Sequence, residues 1–176
     1  MQRTQFDAMH CSIARCWHLV GEPWTPLVLR DLFVGMRRFD TICEDLGIAR
    51  NVLADRLRRL VDGGLVAREP YRDGGRTRDE YVLTEAGWDL APILMLLMAW
   101  GDRWTASVTA PPMRLRHDPC GHVGAPRVTC SGCGESLNPR EVTAIAGPGG
   151  KTAPGTARIG EFVERPARTR GRSRAR

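Results

Sequence analysis

Apolar residues recur at helical spacing through two consecutive stretches near the middle of the chain. They are Phe39, Ile42 and Leu46, followed after Gly47 by Ile48, Leu53, Leu57, Leu60 and Val61. Apolar positions three to four residues apart share one face of a helix, and a glycine between two such sets marks a turn. The pattern therefore predicts a helix-turn-helix whose second helix is the longer one.

Two β-prone segments follow this pair of helices. Gly63-Gly64 ends the helical pattern, and the short apolar segments 65–66 and 81–83 then flank a polar stretch. The sequence Asp73-Gly74-Gly75 within that stretch is typical of a hairpin turn. A hairpin directly after a helix-turn-helix predicts a winged helix, mainly α with a small β-hairpin wing.

Further helices are predicted on both sides. Residues 10–20 form an amphipathic pattern, and a helix is predicted to start at Thr25, capped by the Thr hydroxyl, with Pro26 in its first position. A long helix that Pro92 bends is predicted from Thr84 to Trp104. Its apolar residues cover nearly every face, which favours a homodimer, although a buried C-terminal helix of a monomer would have the same pattern.

The positive charge lies in two places. The net charge is +6, and residues 151–176, with eight basic and two acidic residues, account for all of it. Within the neutral remainder, residues 50–78 contain eight Arg against four acidic residues. A basic patch on a predicted second helix and wing indicates double-stranded DNA as the partner.

The predicted recognition helix and wing contain the candidate DNA contacts. Near the start of the helix, Arg50 can donate to guanine and Asn51 can pair with adenine, whereas Asp55 is expected to orient Arg58 or Arg59. The candidate backbone contacts are Arg37, Arg38, Arg56, Arg72, Arg76 and Arg78. A charged, solvated helix face is the alternative for Arg56, and a plain exposed hairpin is the alternative for the wing arginines.

A linker near Thr109 precedes a small unit, residues 114–140, in which a short motif occurs twice. His117 and Cys120 are followed by a glycine, and Cys130 and Cys133 are followed by another. Two ligands, two spacers apart and followed by glycine, form the knuckle typical of structural zinc sites. The motif predicts Zn²⁺ with four protein ligands and no catalytic position, and His122 is an alternative to His117.

The composition limits the class of protein. From residue 144 onward Gly, Pro and Arg dominate without apolar periodicity, which predicts a disordered basic tail over residues 144–176.

The six Cys accompany no secretory signal, and the longest apolar run, residues 90–100, is too short to span a bilayer. We therefore expect a soluble, cytoplasmic protein without a membrane partner. No arrangement of nucleophile and base indicates an enzyme.

Residues 10–104 carry a series of motifs that resembles the HxlR-type winged helix-turn-helix transcriptional regulators. These are the leading Cys11, Gly21–Thr25, Arg37–Phe39, the helix Val52–Leu60, Gly64–Val66, Tyr81–Thr84 and Trp100-Gly101. The resemblance implies a dimeric DNA-binding domain over residues 10–105, acting as repressor or activator without enzymatic activity. Glu22-Pro23 and Ala49 depart from the family's pattern, and Ala49 removes a capping Ser worth about 1 kcal/mol.

The resemblance also suggests an effector. Some members of the family sense thiol stress through the Cys that aligns with Cys11, so Cys11 is a candidate redox sensor, and a small-molecule effector is an alternative. A sensing thiol needs a low pKa and solvent access, whereas a buried thiol packs as a small hydrophobe, as we expect of Cys16 and Cys43. The remaining alternative function is a zinc-dependent protein-interaction module without sequence-specific DNA binding.

Overall fold

The structure is a computed structural model that describes residues 6–105 and 110–163. The chain divides into two compact units, residues 17–126 and residues 1–16 together with 127–176. The first unit contains residues 17–105 of the predicted winged-helix domain 10–105, and residues 10–16 belong to the second unit. The division runs through the predicted unit 114–140 and places one of its two knuckles in each compact unit.

The order of elements follows the predicted winged helix. The elements are α1 (Ser12–Val20), α2 (Thr25–Phe33), α3 (Phe39–Leu46), α4 (Arg50–Asp62), β1 (Val66–Asp73), β2 (Arg76–Leu83), α5 (Glu85–Trp88), α6 (Ala91–Trp104), β3 (Arg116–His117) and β4 (His122–Val123). β1 and β2 form one antiparallel sheet, and β3 and β4 form another. Helix α3, its turn and α4 confirm the helix-turn-helix.

The core lies where α2, α3 and α4 meet the first residues of the wing. Its fully buried side chains include Leu29, Ile42, Leu53, Leu57 and Leu60. Three of these five come from α4 at intervals of four and three residues, so one face of this helix is fixed against the core. The opposite face of α4 must then point to solvent.

The turn between α3 and α4 depends on one glycine. Gly47 ends α3 with a φ of 60°, a left-handed conformation in which glycine meets no Cβ penalty. Ala49 stands at the N-cap of α4 in an extended conformation, and no side chain caps the first turn. The predicted loss of the capping hydroxyl is confirmed.

The wing is longer than the two short strands predicted. The strands pair from Val66 opposite Leu83 to Asp73 opposite Arg76. Gly74 and Gly75 form the two-residue loop with φ of 55° and 84°, as the primed hairpin turns require. Antiparallel hydrogen bonding extends through polar residues that lack an apolar alternation, and this is why the sequence pattern underestimated the strands.

The start of α2 differs from the prediction. Trp24 is the N-cap residue, in a left-handed conformation with a φ of 76°, and no side chain caps the helix. Thr25 is the first residue of the helix and is only 2% exposed. The helix starts one residue earlier than predicted, so that the N-cap position falls on Trp24 at the end of the turn 22–24. The prediction that Thr25 caps α2 was therefore wrong.

The segment after the wing forms two helices instead of one bent helix. The Thr84 hydroxyl caps α5 by accepting a hydrogen bond from the backbone N–H of Gly87 at 3.2 Å. α5 ends at Trp88, and α6 begins at Ala91 with Pro92 in its first turn. Proline is tolerated there because the first N–H groups of a helix have no partner within it. Pro92 thus belongs to a helix start and does not bend a continuous helix.

The second compact unit contains turns and two short 3-10 helices, Phe6–Ala8 and Ile159–Glu161. This unit consists of an N-terminal and a C-terminal segment of the chain. A hydrogen bond connects the two segments, since the backbone N–H of His10 donates to the Pro154 carbonyl at 2.8 Å. Residues 164–176 of the predicted disordered tail lie outside the described residues, so the disorder of residues 144–176 stays a prediction. In residues 6–105 and 110–163, no helix combines the length and apolar character that crossing a membrane requires.

A buried carboxyl group lies within α2. Asp31 is fully buried, and Arg30 donates two hydrogen bonds to its Oδ1 at 2.9 and 2.6 Å. Its Oδ2 has no hydrogen-bond partner among the described residues. Burial raises the pKa of Asp31, an effect that the hydrogen bond and charge of Arg30 only partly oppose.

We expect Asp31→Asn to remove a pH dependence of stability. A carboxyl group whose pKa is raised by folding favours the folded state at low pH, and this contribution is lost as pH rises through the raised value. The free energy of unfolding of Asp31→Asn, relative to the wild type, should therefore increase from pH 4 to pH 7 in urea titrations. The matched control is Asp62→Asn, which changes an exposed carboxyl group at the end of α4. Equal pH profiles for the wild type and Asp31→Asn would contradict the assignment.

Candidate nucleic-acid interface and metal ligands

The exposed face of α4 begins with two polar side chains. Arg50 and Asn51 occupy the first turn of the helix and are exposed, as is Ala54 one turn later. Leu53, Leu57 and Leu60 hold the opposite face in the core. The structure therefore presents the two predicted base-reading residues together at the N-terminal end of α4, the end that enters the major groove in helix-turn-helix proteins.

Arg50 is held by two neighbours from α3. Its Nη1 lies 2.6 Å from Oδ1 of Asp40, and its guanidinium carbon lies 4.8 Å above the ring centroid of Phe39. The Arg50 side chain is nevertheless 69% exposed. The guanidinium group is thus oriented before any ligand is present, and its outer edge remains open.

Asp55 is the centre of a cluster of arginines on α4. Its carboxylate accepts from Arg56 at 2.7 Å, from Arg59 at 2.8 Å and from Arg58. Partial burial alone would raise the pKa of Asp55, but Arg59, Arg58 and Arg56 outweigh this effect and lower it. The prediction that Asp55 orients Arg58 or Arg59 is confirmed, and Asp55 contacts both.

Arg56 faces the protein and not the solvent. Its side chain is 14% exposed, pairs with Glu22 at 3.0 Å and donates to the Pro23 carbonyl at 3.2 Å. The loop that departs from the family's pattern thereby contacts α4 through an ion pair. Sequence reasoning missed Glu22, because nothing in the spacing of residues 22 and 56 indicates that the two elements meet.

Arg37 and Arg38 lie beside the wing. Arg38 forms a β-bridge with Glu80, and the Arg37 carbonyl accepts from the backbone N–H of Tyr81 at 2.8 Å. The Arg37 side chain lies 3.5 Å from the Glu80 carboxylate, and the Arg38 guanidinium carbon is 4.8 Å from the ring centroid of Tyr71. The two arginines thus connect the start of α3 to both wing strands.

The wing places its arginines near its tip. Arg72, Arg76 and Arg78 are exposed, and Arg78 lies 3.7 Å from Asp73 and 3.9 Å from Asp40. Within the part of the chain that the structure describes, Arg72 and Arg76 have no acidic group at ion-pair distance. These two side chains therefore carry positive charge at the tip of the wing that no described acidic group compensates.

The predicted metal ligands lie in two separate knuckles. His117 Nδ1 is 3.1 Å from Cys120 Sγ in the first knuckle, and the Gly132 N–H donates to Cys130 Sγ at 3.4 Å in the second. Hydrogen bonds from Cys133 and from the backbone of Gly132 lower the pKa of Cys130. Across residues 6–105 and 110–163, no three His, Cys, Asp or Glu side chains are grouped as ligands of one metal ion. Zinc binding therefore stays a prediction.

The other cysteines are free thiols outside the knuckles. Cys11, directly before α1, is half-buried, and its carbonyl accepts from the backbone N–H of Arg15 at 3.0 Å. Cys43 is also half-buried and donates to the Ile48 carbonyl at 3.0 Å, a contact within the helix-turn-helix. The structural role expected of Cys43 is consistent with this contact, whereas thiol sensing by Cys11 stays a prediction.

Comparisons with known proteins agree on the class of protein. A family model described as HxlR-like helix-turn-helix matches residues 19–109. The chain is 47% identical over 140 residues to Rv3095 of Mycobacterium tuberculosis, named an uncharacterized HTH-type transcriptional regulator, and the match covers 80% of this chain and 88% of that protein. These aligned residues outnumber those of the winged-helix region alone, so the likeness includes part of the remaining chain.

Two solved structures are similar to the chain. PA1607 is 34% identical, with a TM-score of 0.64, and the match covers 73% of this chain and 89% of that one. PA1374 of Pseudomonas aeruginosa is 35% identical, with a TM-score of 0.56, and the match covers 80% of this chain and 95% of that one. Both are described as candidate transcription factors.

The uncapped start of α4 generates a prediction about stability. Ala49→Ser adds a hydroxyl at an N-cap position whose backbone is already extended, so we expect the free energy of unfolding to rise by about 1 kcal/mol. Chemical denaturation measures the change. The matched control is the same substitution at Ala54, an exposed position inside α4, where Ser lowers helix stability by about 0.5 kcal/mol. A loss of stability in Ala49→Ser would contradict the cap geometry.

Proposed function

The chain belongs to the HxlR-like helix-turn-helix family of transcriptional regulators, and from that membership we propose that it is a sequence-specific, homodimeric DNA-binding regulator of the cytoplasm without enzymatic activity. The observation that carries the proposal is the pair Arg50 and Asn51, exposed together in the first turn of the helix whose other face is buried. Side chains at this position of a recognition helix reach base edges in the major groove.

Arg50 and Asn51 read bases in this proposal. A guanidinium can donate two hydrogen bonds to guanine, and a side-chain amide can pair in the same way with adenine. Phe39 and Asp40 support the role of Arg50, since they orient its guanidinium before DNA arrives and so reduce the entropy lost on binding.

The proposed backbone contacts surround this helix. Arg72, Arg76 and Arg78 of the wing and Arg37 and Arg38 at the start of α3 are the candidates for phosphate. Phosphate contacts position the protein and supply most of the salt-dependent affinity. Arg56 is not one of them, because its guanidinium is largely buried and pairs with Glu22 and Asp55.

The proposed dimer rests on an exposed apolar stripe of α6. Ile93, Leu97, Trp100 and Trp104 are each at least half exposed. They follow one another at intervals of four, three and four residues, so they share one face of the helix. Large apolar side chains in a continuous stripe are rare on the surface of a monomer and typical of an interface. A second copy related by two-fold symmetry would place two recognition helices on a pseudo-palindromic site.

Substitution of single arginines separates base reading from backbone contact. We expect Arg50→Ala to lose about 1–3 kcal/mol of discrimination at one base position, because it removes a base contact. Arg76→Ala should instead weaken binding to all sequences and reduce the slope of log K against log salt by about 1. The selection of bound sequences from a random pool, followed by titrations at several salt concentrations, measures both effects.

Each variant is the control for the other, since both remove one exposed Arg. Equal losses on every sequence for both variants would contradict the base-reading role of Arg50. If a folded, dimeric wild type fails to bind duplex DNA even at low salt, the DNA-binding proposal itself fails, and the protein-interaction alternative gains support.

The apolar stripe predicts the effect of a charge on assembly. Leu97→Glu places a carboxylate in the proposed interface, where burial without a partner is unfavourable, so we expect dimer dissociation to increase at least ten-fold, or about 1.4 kcal/mol. Sedimentation equilibrium measures it. The matched control is Val34→Glu, which changes an exposed apolar residue outside α6 and should leave the assembly unchanged. A dimer of unchanged strength in Leu97→Glu would exclude this stripe as the interface.

A further inference from the structure

A cleft lies beside the C-terminal half of α6. Its volume is about 410 Å³, within the roughly 300–1,000 Å³ typical of sites for small molecules. One wall is the segment 111–126, and the other is α6. The residues of α6 that line it are Met98, Ala99, Asp102 and Arg103. Both walls belong to the compact unit 17–126, so the cleft is formed within a single unit.

Hydrogen bonds between its own strands shape the second wall. Two stretches of the segment line the cleft, residues 111–115 and 124–126. The N–H of Gly124 donates to the Leu115 carbonyl at 3.1 Å, and β3 pairs with β4 directly beyond this bond. The two lining stretches are therefore held side by side as one surface.

The cleft and the apolar stripe use different sides of α6. Successive residues of an α-helix are about 100° apart around its axis. Asp102, in the cleft, comes two positions after Trp100 of the stripe and so points about 200° away from it. A partner subunit on the stripe would therefore leave this side of α6 open.

The walls of the cleft are mainly apolar. Met98, Met113 and Leu115 line it and are each half-buried. The flexible thioether of methionine adapts to the shape of a ligand, and its sulfur makes favourable contacts with aromatic rings. Two methionines on opposite walls thus suit the apolar body of a small aromatic molecule.

The charged side chains at the cleft are two guanidinium groups and one carboxylate, those of Arg103, Arg114 and Asp102. None of the three has an oppositely charged group at ion-pair distance within the described part of the chain. The guanidinium carbon of Arg103 lies 4.8 Å from the ring centroid of Trp104, whereas Arg114 has no such neighbour. The cleft therefore has an excess of positive charge, with Arg114 as its free guanidinium group.

We propose that this cleft binds a small amphipathic organic anion. The aromatic body of the ligand packs between Met98 and Met113, and its carboxylate accepts hydrogen bonds from Arg114, a pairing that can be bidentate. Asp102 repels a second negative charge, so the ligand is a monoanion. The site goes beyond the proposed DNA-binding function and does not depend on it, because its residues lie outside α4 and the wing.

The first test compares three probes that share one aromatic ring system but differ in charge. They are 2-naphthoate, the neutral 2-naphthamide and the cation 2-naphthylmethylammonium, each titrated calorimetrically into the full-length chain. We expect 2-naphthoate to bind about ten-fold more tightly than the amide, because a hydrogen bond between charged groups is the stronger one. The cation should bind most weakly.

Substitutions assign the charge to one side chain. Arg114→Gln should weaken the binding of 2-naphthoate about ten-fold and leave the amide nearly unaffected, since only the charged contact is lost. The matched control is Arg116→Gln, which changes an exposed Arg of the same segment that pairs with Asp118 at 2.8 Å and does not line the cleft. Its affinity for 2-naphthoate should equal that of the wild type.

Methyl signals of methionine locate the ligand in the wild-type protein. In protein labelled with ¹³C at the methionine methyl groups, 2-naphthoate should shift the signals of Met98 and Met113 through the ring current of the naphthalene. The signal of Met36, which packs against the core of the winged helix, should stay in place. Ala125→Trp should abolish binding, because it places a large side chain in the cleft from an exposed position.

Several results would overturn the proposal. A wild-type chain that does not bind 2-naphthoate at millimolar concentration has no such site, and shifts confined to other methionines would place the ligand elsewhere. Equal affinities for 2-naphthoate and the amide, or tighter binding of the cation, would exclude an anion site at Arg114. Far-UV circular dichroism of each variant separates loss of binding from unfolding, and the methyl shifts of the wild type need no substitution.

Discussion

The burial of one face of α4 is the constraint on which the candidate nucleic-acid interface depends. Leu53, Leu57 and Leu60 are at most 1% exposed and fix the rotation of the helix about its axis. A rotation by a single residue would turn these side chains by about 100° and expose apolar surface worth roughly 25 cal/mol for every Å². The hydrophobic core thus determines which residues, Arg50 and Asn51 among them, meet the solvent.

Acidic residues orient several of the solvent-facing arginines. Asp40 holds Arg50, Asp55 holds Arg58 and Arg59, and Glu80 lies beside Arg37. Exposed pairs of this kind contribute little to stability, typically no more than about 1 kcal/mol each. Their consequence here is geometric, since they restrict long side chains to a few orientations on the face that the core has already selected.

Much of this arrangement could be predicted from the sequence because it follows from local periodicity. The spacing of Leu53, Leu57 and Leu60 predicts the buried face of α4, and Gly74-Gly75 predicts the tip of the wing. What could not be predicted depends on contacts between distant segments. The ion pair of Glu22 with Arg56 changes Arg56 from an expected surface residue into a largely internal one, and neither residue's local sequence contains that information. The strands of the wing likewise extend through polar residues. These residues are extended because the two strands pair with each other, and the local sequence does not show this pairing.

If Arg50 reads a base, as we propose, its ion pair with Asp40 makes recognition an exchange of partners. A guanine could accept at the open edge of the guanidinium, but a bidentate contact that includes Nη1 would require Arg50 to release or share the carboxylate 2.6 Å away, and Asp40 would then lie close to the negative duplex. A base that offers two well-placed acceptors can compensate for this loss, whereas an incorrect base or an isolated phosphate offers less. The carboxylate would therefore act as an internal competitor that shortens the lifetime of the protein on random DNA and hastens its search for the operator.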